Sequence, residues 1–438
     1  MKGNQLKPVF YFLLLLFLLL FISSFIPEVS IGSFHFKKLD LWNDLQEKEI
    51  TEIKQTDSSK VLSDSVGEIK IENTYKGVEE YGESNLVYFY RALAKTRSRP
   101  VRIAFFGDSF IEGDIFCGPF RDTLQRVFGG SGVGYMPITS AVNQFRTSII
   151  HEFKNWKTYS MVGERNVHSP LSLPGYCFRP LEGNEVTYRP VRNNFVAAKL
   201  FYETEQPFSL AVSLNGSVDS VQVNQTGTLK QYTFARTNLQ EITFSFPTVD
   251  SIRVYGAALE DTVGISVDNL GMRSNPGMGL FLVDEERMSQ FNAFRNYKLI
   301  ILQYGLNVLS ENDTSGYQWY GYKMRTLISN LKNIFPETAI LLIGVGDRGS
   351  NQHGKIVTMP TLLQLRHVQR TTAAQTHIAF WDMFEAMGGE NSMVKYTEAQ
   401  PPLAAKDYTH LTFRGGRKLG GKLAQALLNE KKKYEKKK

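Results

Sequence analysis

Ser109, Asn307, Asp407 and His410 are the residues of this chain whose types could together carry out acyl transfer. A serine hydroxyl is a weak nucleophile until a base within hydrogen-bond reach takes its proton. Histidine suits that task because its pKa lies near neutrality, and a carboxylate holds the imidazole in the productive tautomer. Asp407 and His410 are three residues apart, so one turn of backbone can bring both side chains to the same side. The oxyanion formed by attack on a carbonyl needs donors, which the Ser109 backbone N–H, a glycine N–H and the Asn307 amide could supply. Taken singly, Asn307 reads as a strand-end turn residue and Asp407 as a helix cap. Their joint placement sets them apart from those readings.

That placement follows from the elements around them. Residues 103–106 form a continuous apolar run, the pattern of a strand buried on both faces of a parallel sheet. The run stops at Gly107, which tolerates a sharp turn. A helix follows, with Ile115, Pro119, Phe120, Leu124 and Val127 at helical spacing and Gly129-Gly130 closing it. Ser109 thus sits at the carboxyl end of a strand, where open α/β sheets bind ligands. Residues 299–303 form a second buried strand ending at Tyr304-Gly305-Leu306-Asn307, followed by a helix through Tyr320, Met324, Leu327, Leu331 and Ile334. Further strands are expected at 339–343 and 378–381, with helices over 86–94, 362–374 and 412–427. Asp407 and His410 stand immediately before the last helix. This alternation predicts an α/β fold with a flavodoxin-like, doubly wound parallel sheet.

Between 143 and 261 the texture changes to short alternating runs at 196–202, 208–214, 218–223, 232–236, 242–246 and 252–257. Turn signals such as Asn215-Gly216 separate them, which predicts an inserted β-sandwich. Tyr202, Tyr232, Phe234 and Tyr255 in this segment could stack on sugar rings or fill its core. The expected organisation is an N-terminal anchor or signal at 1–27 and a stalk or linker at 28–85. The α/β domain follows at 86–142 and 262–430, interrupted by the insertion at 143–261, and a basic tail closes the chain at 431–438.

The 438 residues are 42% hydrophobic and 21% charged, the balance of a globular protein rather than a disordered one. Lys431 to Lys433 and Lys436 to Lys438 supply six charges against a net +7, so the excess reads as a solvated tail. No nucleic-acid-binding motif stands elsewhere. Lys2 and Lys7 precede an apolar run of eighteen residues at 9–26, about the minimum for a membrane span. Ser23-Ser24-Phe25-Ile26-Pro27 offers no clear small-x-small cleavage site. An uncleaved inner-membrane anchor, with the bulk of the chain on the periplasmic side, is therefore expected. Two cysteines, Cys117 and Cys177, are open to either a disulfide or two buried thiols. No HExxH or paired CxxC spacing implies a metal, and no cofactor is expected.

These blocks resemble the SGNH (GDSL-type) hydrolase superfamily. Gly107-Asp108-Ser109 matches its first block, Gly305-Leu306-Asn307 its third and Asp407-Tyr408-Thr409-His410 its fifth. Val308 departs from the third block, which commonly has Asp after Asn. The resemblance implies Ser109 as nucleophile, His410 as base, Asp407 as its orienter, and Ser109, Gly277 and Asn307 as oxyanion donors. Gly271 is the fallback for Gly277, because Asn275-Pro276-Gly277 is a divergent second block. Over about residues 86–428 the chain is similar to the peptidoglycan O-acetylesterase branch. Gly113-Asp114, Phe128-Gly129-Gly130, Gly132-Val133-Gly134-Tyr135, Phe380-Trp381-Asp382 and Ala386-Met387-Gly388-Gly389 carry that likeness. That branch inserts a sandwich similar to a carbohydrate-binding module between its first and second blocks. The expected activity is removal of O-acetyl groups from a cell-envelope polysaccharide. The anchor and stalk are also similar to those of acetyltransferases that work beside a membrane-bound O-acyltransferase with the same triad. An inactive glycan-binding envelope protein is the non-enzymatic alternative, against which the complete Ser109, Asp407 and His410 set argues.

Overall fold

The computed structural model describes residues 29–31, 34–36, 77–82, 86–165, 170–191, 194–313 and 315–436. The apolar run at 9–26 and most of the expected stalk lie outside the described residues. Among the described residues no helix is long and apolar enough to cross a membrane. The chain divides into two units, Met1–Ile71 and Glu72–Lys438. In the first, Val29–Ile31 pairs with Phe34–Phe36 as an antiparallel hairpin.

The second unit is built on a six-stranded sheet. Its strands are β1 (Val78–Glu79), β2 (Pro100–Gly107), β3 (Gly264–Gly271), β4 (Tyr297–Gln303), β5 (Ala339–Ile343) and β6 (Ala379–Trp381), in the spatial order β3-β2-β4-β5-β6-β1. All are parallel except the edge strand β1. The helices of this unit are α1 (Val87–Leu93), α2 (Ser109–Glu112), α3 (Cys117–Phe128), α4 (Glu285–Arg295), α5 (Gln318–Ile334), α6 (Leu362–Gln375), α7 (Met383–Met387), α8 (Ser392–Glu398) and α9 (Phe413–Lys436). α3 packs on α9, and α5 on α4 and α6. From β2 the chain crosses outward to β3, then returns past β2 to β4, β5 and β6. With right-handed crossovers, that reversal puts α3 and α4–α6 on opposite faces. The crevice between the carboxyl ends of β2 and β4 is the topological switch point.

Three features differ from the sequence reading. The glycine-rich stretch 268–277 reads from its composition as a turn, but Asp268–Gly271 completes β3 and is fully buried. Its polar residues are satisfied inside the core, where a local pattern does not show them. Val127, expected on the core face of its helix, is exposed. The basic tail is not separate, because α9 runs on to Lys436. Lys433 pairs with Glu430, Lys431 with Glu435, and the Tyr434 ring lies 5.5 Å from that of Tyr90. Cys117 and Cys177 are buried free thiols, so no disulfide joins them.

The insertion is a nine-stranded antiparallel sheet. Its strands run from Gly134–Met136 through Ile149–Ser160 and Tyr176–Pro190 to Arg253–Glu260. It begins earlier than 143, because Gly134–Met136 pairs with Ala257 to Leu259 of its last strand. Two halves of the sheet are joined through the single pair Val254 and Phe178. Side chains of both halves, Val186, Leu210 and Phe244 from one and Leu200, Phe234 and Val254 from the other, bury into one core. Tyr202, Phe234 and Tyr255 are buried and Tyr232 packs against the same core, so these aromatics do not form an exposed sugar platform.

A buried charge network joins insertion and sheet. Glu260, on the last insertion strand, bonds Arg102 of β2 at 2.7 Å, Lys199 at 2.5 Å and Arg295 of α4 at 2.9 Å. Arg295 also bonds Asp268 of β3 at 2.7 Å, and the Tyr297 hydroxyl donates to Asp268 at 2.5 Å.

Candidate active site

β2 ends at Gly107, where a Cβ would come within 2.3 Å of Ile111 Cγ1 and 2.9 Å of Gln303 Oε1. Glycine is required here for close approach, not for left-handed backbone. Asp108 then caps α2, its Oδ1 accepting the Phe110 N–H at 3.1 Å. Ser109 is the first residue of α2 and is half-buried. Its N–H belongs to the first turn, whose amides have no acceptor within the helix.

The segment carrying Asp407 and His410 is held against the loop after β5. The Gly349 N–H donates to Tyr408 C=O at 2.8 Å, and the Ala405 N–H to His410 C=O at 2.8 Å. A Cβ on Gly349 would lie 2.8 Å from Tyr408 Cβ, so the missing side chain permits this approach. Asp407 Oδ1 accepts the N–H groups of Thr409 and His410, both at 3.0 Å. Its Oδ2 lies 2.6 Å from His410 Nδ1. An ionised carboxylate only accepts, so Nδ1 carries the proton and Nε2 is left to accept the Ser109 Oγ–H at 3.2 Å. The Phe110 ring stands 6.0 Å from the imidazole. Partial burial pushes the Asp407 carboxyl up, but the hydrogen bonds from the His410 ring and the two backbone amides outweigh it. The net result is a carboxyl below its ordinary range.

Asn307 follows β4, one strand over from Ser109, and is exposed. Its Nδ2 donates to Asp108 Oδ2 at 3.3 Å and to Asn275 C=O at 3.4 Å. Both contacts are long, and they fix the amide beside Ser109. Asp108 is fully buried, and burial pushes its carboxyl up to about 7. The Phe110 N–H and the neighbouring His410 offset that only in part.

Gly277 is left-handed, with φ 97°, and packs against Tyr304 at the turn facing Asn307. Its N–H donates to Asn275 Oδ1 at 2.9 Å, and the Gly271 N–H donates to Asn269 Oδ1 at 3.1 Å. Each glycine amide is therefore already engaged. Both N–H groups of the Asn307 amide are engaged as well, with Asp108 and Asn275, but at 3.3 and 3.4 Å these bonds are longer than those of the two glycines and easier to exchange for a substrate oxygen. Sequence reasoning passed over Asn275, which is fully buried and organises this turn through Gly277 and Gly279. An Asn directly before Pro-Gly was the available signal. Among the described residues no group of three His, Cys, Asp or Glu side chains could hold a metal.

No protein-family model and no curated protein sequence matches this chain. Solved structures do. A peptidoglycan O-acetylesterase is 22% identical, with a TM-score of 0.67 over 81% of this chain and 99% of that one. The α/β part alone cannot supply that share, so the likeness extends into the insertion. An acetylxylan esterase from Geobacillus stearothermophilus is 22% identical over 39% of this chain and 73% of that one, at 0.29. A salicylyl-acyltransferase from a tetracycline biosynthetic pathway is 12% identical over 63% and 94%, also at 0.29. The last two agree too loosely to bear on the fold. With its Ser109–His410–Asp407 array at the switch point of a parallel sheet, the chain has a fold similar to that of a peptidoglycan O-acetylesterase.

Proposed function

We propose that this protein is a serine esterase that removes O-acetyl groups from a cell-envelope polysaccharide such as peptidoglycan. The observation that carries the reading is the Ser109 Oγ, His410 and Asp407 array, linked at 3.2 Å and 2.6 Å. As Ser109 Oγ attacks the acetyl carbonyl carbon, its proton passes to His410 Nε2, and Asp407 stabilises the imidazolium. The Ser109 N–H and Asn307 Nδ2 receive the charge on the carbonyl oxygen. Collapse breaks the bond to the sugar oxygen, which leaves as a hydroxyl with the proton from His410. Water, deprotonated by His410, then attacks the acetyl-enzyme and releases acetate. A sugar hydroxyl in place of that water would make the same array a transferase. In this reading the residues before the described domain tether it outside the cytoplasm.

The test is acetate release from O-acetylated peptidoglycan, with and without an acceptor glycan. Ser109→Ala is expected to lower release by several orders of magnitude with the fold intact. Near-parental turnover in that variant would end the assignment.

A further inference from the structure

One cation at the same edge of the sheet plays no part in the chemistry above. Arg348 follows β5, and its Nη1 donates to Leu306 C=O at 3.2 Å, next to Asn307. The following residue, Gly349, donates to Tyr408 C=O at 2.8 Å, two residues from His410. Arg348 therefore sits between the loop that carries Asn307 and the segment that carries Asp407 and His410. It is half-buried, and among the described residues no carboxylate lies within ion-pair reach of it. Two other arginines of this unit have carboxylate partners. Arg273, on the Ser109 side, meets Glu112 at 2.7 Å, and Arg366 meets Asp382 and Glu385 at 2.6 Å. A guanidinium presents five N–H donors in a rigid fork that matches a carboxylate. The Leu306 carbonyl takes one and orients the rest.

Resting on the esterase reading, we infer that Arg348 is an anion subsite that binds a carboxylate carried by the glycan beside its acetylated sugar. The substrate is then an acidic O-acetylated glycan rather than a neutral one. A charge-assisted bond at a fixed guanidinium would set the register of the polymer, so that the ester stands over Ser109 Oγ. Arg348 touches substrate away from the reacting atoms, so its loss should appear in KM more than in kcat.

Two measurements on the full chain test this. Arg348→Gln removes the charge and keeps a polar side chain. Binding of an unacetylated oligogalacturonate, followed by calorimetry, should weaken at least tenfold in Arg348→Gln. The parental affinity should fall with added salt, and that of the variant much less. Hydrolysis of O-acetylated polygalacturonate should lose at least tenfold in kcat/KM through KM. O-acetylated xylan, which is neutral, should be cleaved within twofold of the parent. Oligogalacturonate binding that is absent from the parent or equal in both proteins would overturn the subsite. So would an equal loss on both esters, which would make Arg348 a clamp between two loops. If the parent releases acetate from neither ester nor from O-acetylated peptidoglycan while binding still depends on Arg348, the esterase reading fails and the subsite stands.

Discussion

Asp108 holds two partners at once, the Phe110 N–H on one oxygen and the Asn307 amide on the other. Replacing it with Asn would set an NH2 group against one of those two donors. Asp108→Asn is therefore expected to lower kcat about tenfold or more with KM little changed, by misplacing one oxyanion donor. The same residue should leave a mark on stability. Burial pushes its carboxyl up to about 7, from an ordinary value of 3.8. Between those values the native state keeps a proton that the unfolded chain releases, so this group's contribution falls as pH rises. Urea unfolding at pH 5 and pH 8 should show the parent losing stability relative to Asp108→Asn across that interval. Parallel profiles would mean that Asp108 is ionised throughout.

At the scale of elements, the insertion and the sheet share Glu260, which has no exposed surface and meets three cations. Glu260→Ala would leave Arg102, Lys199 and Arg295 crowded around an empty place, with only Asp268 to offset them. Breaking a buried ion network from one side costs about 3–5 kcal/mol. Chemical denaturation should show a loss of that order, and one below about 1 kcal/mol would mean that water replaces the carboxylate. None of these charges was legible in the sequence, because pattern reading treats a charged residue in a strand as facing solvent. The same blindness hid β3, where Asp268 and Asn269 are buried in the middle of the strand. It also hid Ile149–Ser160 and Tyr176–Pro190, whose many polar residues mask their alternation. Ala339–Ile343 and Phe208–Leu214 were legible to the residue, since one is wholly apolar and the other alternates cleanly. In the site, Ser109, Asp407 and His410 could be read because each lies in a short local block. The engagement of Gly277 by Asn275 could not, since it depends on where a side chain turns in three dimensions.

At the scale of the whole second unit, the insertion reaches the site directly. Met161 Sδ lies 3.9 Å from Asn275 Nδ2, so the turn opposite Asn307 is braced from the inserted side. The insertion is thus part of the frame around Ser109 rather than an appendage beside it. The catalytic pair, by contrast, is open: the His410 and Asp407 side chains are 50% and 49% exposed. Hydrogen bonds bathed in water stabilise developing charge far less than the same bonds in a dry pocket. Among the described residues nothing roofs this pair, so in the esterase reading the glycan itself would serve as the cover. A polymer strand laid across the crevice would dry the reacting atoms, whereas a small soluble ester leaves them wet. The two substrates should then differ in kcat and not only in KM, with the polymeric acetate turning over about tenfold faster or more at saturation. Equal kcat values would show that the crevice needs no cover.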